Sequence, residues 1–354
     1  MLKKWTGPGI FRLFLALAVF ADHISRFAIG VGAVYVFFCL SGYWIYQMYV
    51  HKYSNTRQPY LTYLVSRAWR LLPVFLLITG GVLVFVCISG TFGQYWNASN
   101  HLHFVVSNLL ILGYDTLGKP FILPAWSLDV EMRFYLIAPL LVILLAKRRI
   151  PAALLLAAVG FISLLISIFH VPSLLLRYLV FFTLGMSAAS TNWRPSRRVG
   201  LISLGAAVLA FVACIASPWR GVLIVGAHPG PLAVYMLVAN AVLAFMLAPY
   251  AIYTTQQKGF RIDGVLGDLS YVVYLLHWPA VLWISEHAGN VEHKLLASVE
   301  SLVLVLMGSL LIWKLYDHPI NRMRSRWVNS RKCGDSAPDL ASVQKPSIVT
   351  PANV

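Results

Sequence analysis

The chain has 354 residues, of which 59% are hydrophobic and only 11% are charged, against about 25% charged in an ordinary globular protein. Its mean hydropathy is +0.74, and its apolar stretches of about twenty residues are each long enough to cross a bilayer as a helix. These features exclude a soluble domain. Its four cysteines are scattered, so neither a disulfide framework nor a metal-binding spacing is indicated.

Ten apolar segments predict an all-α, polytopic membrane protein with about ten transmembrane helices. Of the 28 Lys and Arg residues, 22 fall in segments that would be inside if both termini were cytoplasmic, which is the bias expected of inner loops. The net charge of +16 then follows mostly from topology, and the dispersed cations argue against nucleic-acid binding. The predicted spans are 10–27, 31–50, 71–90, 129–146, 152–169, 174–190, 201–217, 231–252, 268–285 and 296–316.

Two segments break the pattern of helix and short loop. Residues 91–128 form a long outer connection, whose apolar stretch 103–112 is too short to span and would be re-entrant or interfacial. Residues 321–354 are polar and are predicted to form a disordered cytoplasmic tail after a membrane domain of residues 1–320.

Polar residues inside apolar spans are the informative ones, because a charge at the bilayer centre costs about 3 kcal/mol. The first span carries Arg12 and His23, which share one helix face and lie roughly 16 Å apart along the axis. Asp22 points about 100° away from His23, which favours a structural role.

Arg67 and Arg70 form an i,i+3 pair where the third helix is predicted to open, at its cytoplasmic mouth. Guanidinium forks bind phosphate oxygens bidentately, as an anionic nucleotide donor would require. The alternative is that both are positive-inside flanks that extend to lipid headgroups.

The fourth helix is predicted to begin with Ser127 as its N-cap. Asp129 can pair with Arg133 at i,i+4 and is expected to be structural. Glu131 has no cation on its own face and should point inward, where it could share an outward-facing site with His23.

The ninth helix presents Ser270, Tyr274 and His277 on one face, and this polar stripe must face protein or a cavity rather than lipid. For His277 a satisfied packing role and a site role are both open. Pro279 is expected to kink this helix.

Five motifs in order resemble the acyltransferase-3 family of integral membrane proteins, which O-acylate bacterial cell-surface carbohydrates. The family often ends its last helix with Glu-x-Pro, whereas this chain has Asp317-His318-Pro319. The matching motifs are Arg12 with His23; Phe37-Phe38 with Leu40-Ser41-Gly42; Arg67 and Arg70 with Pro73; Trp126-Ser127-Leu128 with Glu131, Phe134, Tyr135 and Pro139; and Gly267 with Ser270, Tyr271, Tyr274, Leu275 and His277.

This resemblance implies that Arg12, Arg67 and Arg70 bind acyl-CoA, most often acetyl-CoA, from the cytoplasm, with no metal involved. His23 would act as general base or as acyl-carrying nucleophile, and Glu131 would orient His23 or hold a sugar hydroxyl. The motif residues expected to contact substrate are Trp126, Ser127, Tyr135 and His277.

The acceptor implied by the family is a glycan outside the bacterial cytoplasmic (inner) membrane, such as an exopolysaccharide, an O-antigen or a lipid-linked repeat unit. Membrane lipids and a polysaccharide assembly complex are the other expected partners. Two alternatives remain from the residues themselves. One is a ten-helix transporter or flippase with His23 as a proton relay, and the other is a scaffold in an export complex.

Overall fold

The computed structural model describes residues 7–25, 27–98, 100–169, 174–225, 232–257, 259–287 and 291–333. Within these ranges the chain forms fourteen α-helices. The first seven are α1 (Pro8–Ile24), α2 (Gly30–Met48), α3 (Pro59–Ile88), α4 (Phe92–Trp96), α5 (His101–Leu110), α6 (Trp126–Ala146) and α7 (Ala152–Ile168). The others are α8 (Leu174–Ser190), α9 (Arg197–Ala216), α10 (Arg220–Leu223), α11 (Ala233–Thr255), α12 (Asp263–His287), α13 (Val291–Ile312) and α14 (His318–Ser330).

Each of the ten predicted spans coincides with one helix, so the apolar segments identified the elements correctly. Six helical stretches among the described residues are long and apolar enough to cross a membrane. They are Gly30–Tyr53, Pro59–Ile88, Arg197–Ala216, Ala233–Thr255, Asp263–Ile284 and Leu296–Ser330. The full count of ten spans and the inside location of both termini stay predictions.

The third helix is longer than its predicted span. It begins at Pro59, where the fixed φ of proline suits the first helical turn. Arg67 and Arg70 therefore lie two to three turns inside α3 instead of opening it. The expectation for Ser127 was also wrong, because α6 begins at Trp126 and the Ser127 hydroxyl instead donates to the Pro124 carbonyl at 3.1 Å.

Part of the predicted tail is helical. α14 follows a π-helical turn (Trp313–Asp317) and packs against α3, with Val328 fully buried. Its end is tied to the α2–α3 connection, because Arg57 N–H donates to the Arg331 carbonyl and Cys333 N–H to the Asn55 carbonyl. Tail residues 334–354 lie outside the described residues, as do Lys3, Lys4, Arg26 and Lys258.

Glycine lets α2 and α8 approach closely. A Cβ on Gly42 would overlap the Phe182 carbonyl oxygen, and one on Gly185 would overlap the Cys39 carbonyl oxygen. Small residues at such contacts are how membrane helices pack backbone to backbone. Gly42 directly follows Ser41, so this close approach also fixes the helix turn that carries Ser41.

Two carboxylates fix the ends of α1. Asp263 accepts the backbone N–H groups of Gly9 and Ile10, both at 3.0 Å, at the start of α1. Asp22, near its end, accepts Gly30 N–H at 2.8 Å where α2 begins. Carboxylates are stabilising at helix N-termini. The structural role expected of Asp22 is confirmed.

The outer connection contains the short helices α4 and α5. α5 has ten residues, too few to span a bilayer, as its sequence predicted. Asp129 accepts Tyr114 N–H at 2.8 Å and pairs with Arg133 at 2.7 Å, which confirms its structural role in holding this connection against α6.

Candidate active site

A cavity of about 290 Å³ lies among six helices: α1, α2, α3, α6, α12 and α14. Six of the nine predicted site residues line it, although they are spread over three helices, α1, α3 and α6. They are Arg12, Arg67, Arg70, Ser127, Glu131 and Tyr135. Trp126, His23 and His277 are not among its lining residues.

Glu131 faces this cavity, as expected from the absence of a cation on its own helix face. Its Oε1 accepts two hydrogen bonds, from Ser41 Oγ and from the Tyr135 hydroxyl, both at 2.7 Å. Among the described residues no donor is bonded to Oε2. One carboxylate oxygen is thus fixed by the protein and the other is available to a substrate.

Arg70 is held by two carboxylates that the sequence reasoning did not assign to the site. Its Nη1 bonds both oxygens of Asp317 at 3.0 and 3.2 Å, and its Nη2 bonds Asp268 at 3.1 Å. The shorter carboxylate in place of the family's glutamate therefore has a partner. Two features of the sequence pointed to these residues. Asp317 stands where the family often has glutamate, and Asp268 directly follows Gly267 of a matching motif.

Arg67 and Arg324 have a different environment. Arg67 is only 7% exposed, and its Nη2 donates to the Tyr53 hydroxyl at 2.8 Å. Arg324 of α14 donates to Ser66 Oγ at 3.1 Å and also lines the cavity. The polar composition of residues 321–354 predicted a disordered tail and gave no indication that Arg324 reaches the cavity.

His23 and His277 form a stacked pair beside the cavity. Their ring centroids are 5.4 Å apart with an interplanar angle of 19°, and Trp278 contacts His23 edge-on. His277 is fully buried, and neither ring nitrogen has a well-formed hydrogen bond to a described residue. The ring of Tyr274, which lines the cavity, lies 5.9 Å from that of His277.

Ser127 and Trp126 have separate roles at the start of α6. The Ser127 hydroxyl bonds the Tyr274 hydroxyl at 2.6 Å, which joins α6 to α12 at the cavity wall. Trp126 packs in an aromatic cluster with Phe38 and Tyr178. The structure places Ser127 in the cavity and Trp126 behind it.

A comparison with protein-family models gives one match, to the acyltransferase-3 family, described as an acyltransferase domain, over residues 5–317. The chain belongs to this family. No curated protein and no solved structure matches the chain.

Membership in the acyltransferase-3 family makes the chain a multi-pass membrane acyltransferase. The cavity is where its separate motifs meet, because Arg12, Ser41, Arg67, Glu131 and Ser270 each come from a different motif and all line it. Residues that sequence reasoning left out of the site are Ser41, Asp268, Asp317 and Arg324.

This acyltransferase-3 chain has a second, larger cavity of about 1220 Å³ at the ends of α2, α6, α8 and α11. Arg148 and Arg194 line it, and none of the nine predicted site residues does. Trp44 of α2 lines both cavities, so they are neighbours.

Proposed function

We propose that the chain transfers an acyl group, acetyl in the first instance, from cytoplasmic acyl-CoA to a hydroxyl of a glycan outside the cytoplasmic (inner) membrane. An exopolysaccharide, an O-antigen or a lipid-linked repeat unit would be the acceptor. The partners proposed with it are membrane lipids and a polysaccharide assembly complex.

The observation that carries this proposal is the composition of the small cavity. Four arginines and one inward-facing glutamate line a cavity among apolar helices. Guanidinium groups keep their charge and bind phosphate oxygens, and the donor's nucleotide part carries phosphates. A carboxylate in the same space can hold a hydroxyl group. Charged side chains at membrane depth mark functional sites.

The chemistry assigned to His23 has two forms. As a base, its free ring nitrogen takes the proton of the acceptor hydroxyl while that oxygen bonds the acyl carbon and the carbon–sulfur bond breaks. The thiolate then takes a proton and leaves as coenzyme A. As a nucleophile, His23 bonds the acyl carbon through a ring nitrogen while the carbon–sulfur bond breaks, and the thiolate takes a proton and leaves as coenzyme A. The acceptor oxygen then bonds the acyl carbon and loses its proton to solvent while the bond from that carbon to His23 breaks.

The position of His23 supports a division between donor and acceptor. It lies eleven residues beyond Arg12 on α1, roughly 16 Å along the helix axis. Two ring contacts, Tyr274 to His277 and His277 to His23, connect it to the cavity wall. A donor with its phosphates among the arginines would extend its thioester arm past Tyr274 to reach His23.

The test is mass spectrometry of the surface polysaccharides from three bacterial strains: one with the gene, one with the gene deleted, and one with His23→Ala. We expect a mass step of one acetyl group per modified repeat to vanish in the last two strains. His101→Ala is the matched control, because His101 is exposed on α5 and should leave the step intact.

A polymer that keeps its acetyl groups but changes in amount or location would contradict the transferase proposal and favour the transporter alternative. Activity that persists in purified His23→Ala protein would remove His23 from the mechanism while leaving the reaction in place.

A further inference from the structure

The arginines of the small cavity differ in whether a carboxylate neutralises them. Arg70 bonds two carboxylates, Asp268 and Asp317. In the described part of the chain, neither Arg67 nor Arg324 lies within 4.0 Å of a carboxylate. Their partners are neutral hydroxyl, amide and thioether groups.

Arg67 and Arg324 are connected by a short hydrogen-bonded chain. Arg324 Nη1 lies 3.1 Å from Ser66 Oγ, which lies 2.9 Å from the Tyr53 hydroxyl, and that hydroxyl lies 2.8 Å from Arg67 Nη2. Tyr53 and Ser66 are fully buried. These hydrogen bonds connect two cations that line the cavity, and no negative charge lies between them.

Unused hydrogen-bonding capacity remains at this pair. Arg67 Nε is buried and has no acceptor among the described residues. Lys52, in the π-helical turn (Tyr49–Tyr53) that follows α2, is close enough to interact electrostatically with both arginines, so the local charge is more positive still. Cations removed from water without a counter-ion are unfavourable, and a bound anion relieves that cost.

The helix that carries Arg324 is held firmly in place. The Trp327 ring packs 5.8 Å from that of Trp69 on α3, and Arg331 lies over the Trp327 ring at 4.5 Å. Backbone bonds tie residues 331 and 333 to residues 57 and 55. A positioned guanidinium loses little entropy when it binds an anion.

We propose that Arg324 of α14 and Arg67 of α3 form a diphosphate-binding subsite, and that Arg70 lies outside it because Asp268 and Asp317 already neutralise that side chain. This inference rests on the proposed function, since it names the part of the site that takes the donor's diphosphate. It adds Arg324 to the donor site and removes Arg70.

Binding is measured by calorimetry on the purified full-length protein in detergent, with coenzyme A and inorganic pyrophosphate as separate probes. Arg324→Gln keeps a polar side chain without the charge and should weaken the binding of both probes at least tenfold. Arg326→Gln removes an exposed charge from the same helix and should change neither by more than twofold. Arg324→Lys keeps the charge but loses the forked guanidinium group. Its affinity for each probe should therefore lie between those of Arg324→Gln and Arg326→Gln.

The probes separate the two proposals. Pyrophosphate binding that depends on Arg324, with no coenzyme A binding, would support the subsite and contradict the donor of the proposed function. Coenzyme A binding unchanged in Arg324→Gln would overturn the subsite and leave the proposed function intact. Should Arg324→Gln fail to fold, Arg324→Lys with unchanged affinity for both probes would overturn the subsite. A parent protein that binds neither probe would overturn both.

Discussion

Glu131 has one carboxylate oxygen fixed and one available. Ser41 and Tyr135 donate to Oε1 from two different helices, α2 and α6, which sets the orientation of the carboxylate. From the sequence, the Ser41 hydroxyl could either face a site or bond to its own helix backbone. Its partner is instead a carboxylate 90 residues away, so the pairing could not be read from local spacing.

The first prediction concerns this carboxylate. Glu131→Gln keeps the size of the side chain and removes its charge, so Ser41 and Tyr135 lose an ionised acceptor. If Glu131 orients the reacting groups, acyl transfer should fall by about 10²-fold or more while the protein still folds. Initial rates with acetyl-CoA on the purified protein measure this. Asp129→Asn is the contrasting variant, because Asp129 holds structure and its loss should lower stability before activity. Unchanged kcat in Glu131→Gln would exclude the role.

Arg70 gives a prediction about stability. Removing one partner of a buried ion pair costs about 3–5 kcal/mol, because the other charge is left alone. Arg70→Gln leaves Asp317, whose side chain is 3% exposed, without a cation and should lower the thermal unfolding midpoint. Adding Asp317→Asn should restore part of that loss, so the double variant should be more stable than Arg70→Gln. If the double variant lost as much stability as the two single variants together, Arg70 and Asp317 would not form a direct pair.

The length of each apolar run correctly predicted which segments form the long helices. All ten predicted spans are helices, because runs of apolar residues of this length must satisfy their backbone groups internally. Helix ends were less predictable. Pro59 starts α3 about three turns before the predicted span. These first turns mix apolar side chains with Arg67 and Arg70, so their mean hydropathy did not indicate a span.

α14 was missed for a physical reason. Residues 318–330 are polar on average, so composition predicted disorder after residue 320. The helix is amphipathic instead: Trp327 packs against Trp69 of α3 and Val328 is buried, while its arginines face outward or into the cavity. The pairing of Arg70 with Asp268 and Asp317 joins residues 198 and 247 positions apart, which no sequence pattern without homologues reveals.

The close contact between α2 and α8 should make the protein's stability sensitive to any side chain added at Gly42. Gly42→Ala would put a Cβ into the Phe182 carbonyl and force the two helices apart, at a cost of about 1–3 kcal/mol. The thermal unfolding midpoint in one detergent should fall accordingly. Gly205→Ala on α9 is the control, because no atom lies within 4 Å of its Cβ position. Equal midpoints for the two variants would show that the close approach contributes nothing to stability.

The side of the membrane that each charged residue faces depends on the orientation of the helix that carries it. An even number of spans puts both termini on one side, and the distribution of Lys and Arg predicts that this side is the cytoplasm. α3 would then run outward, and its last turn, near Ser89, would lie outside. The described end of the chain, at Cys333, would lie inside, next to the arginines of α14.

Cysteine labelling tests this topology directly. In a variant with Ser89→Cys as its single cysteine, a membrane-impermeant maleimide should label intact spheroplasts, because Ser89 is exposed at the predicted outer end of α3. With Cys333 as the single cysteine, labelling should require permeabilisation of the membrane. Labelling of Cys333 in intact spheroplasts would place α14 and Arg324 outside, and a cytoplasmic donor could then not reach the diphosphate subsite. The same experiment therefore tests the topology and the side from which the donor enters.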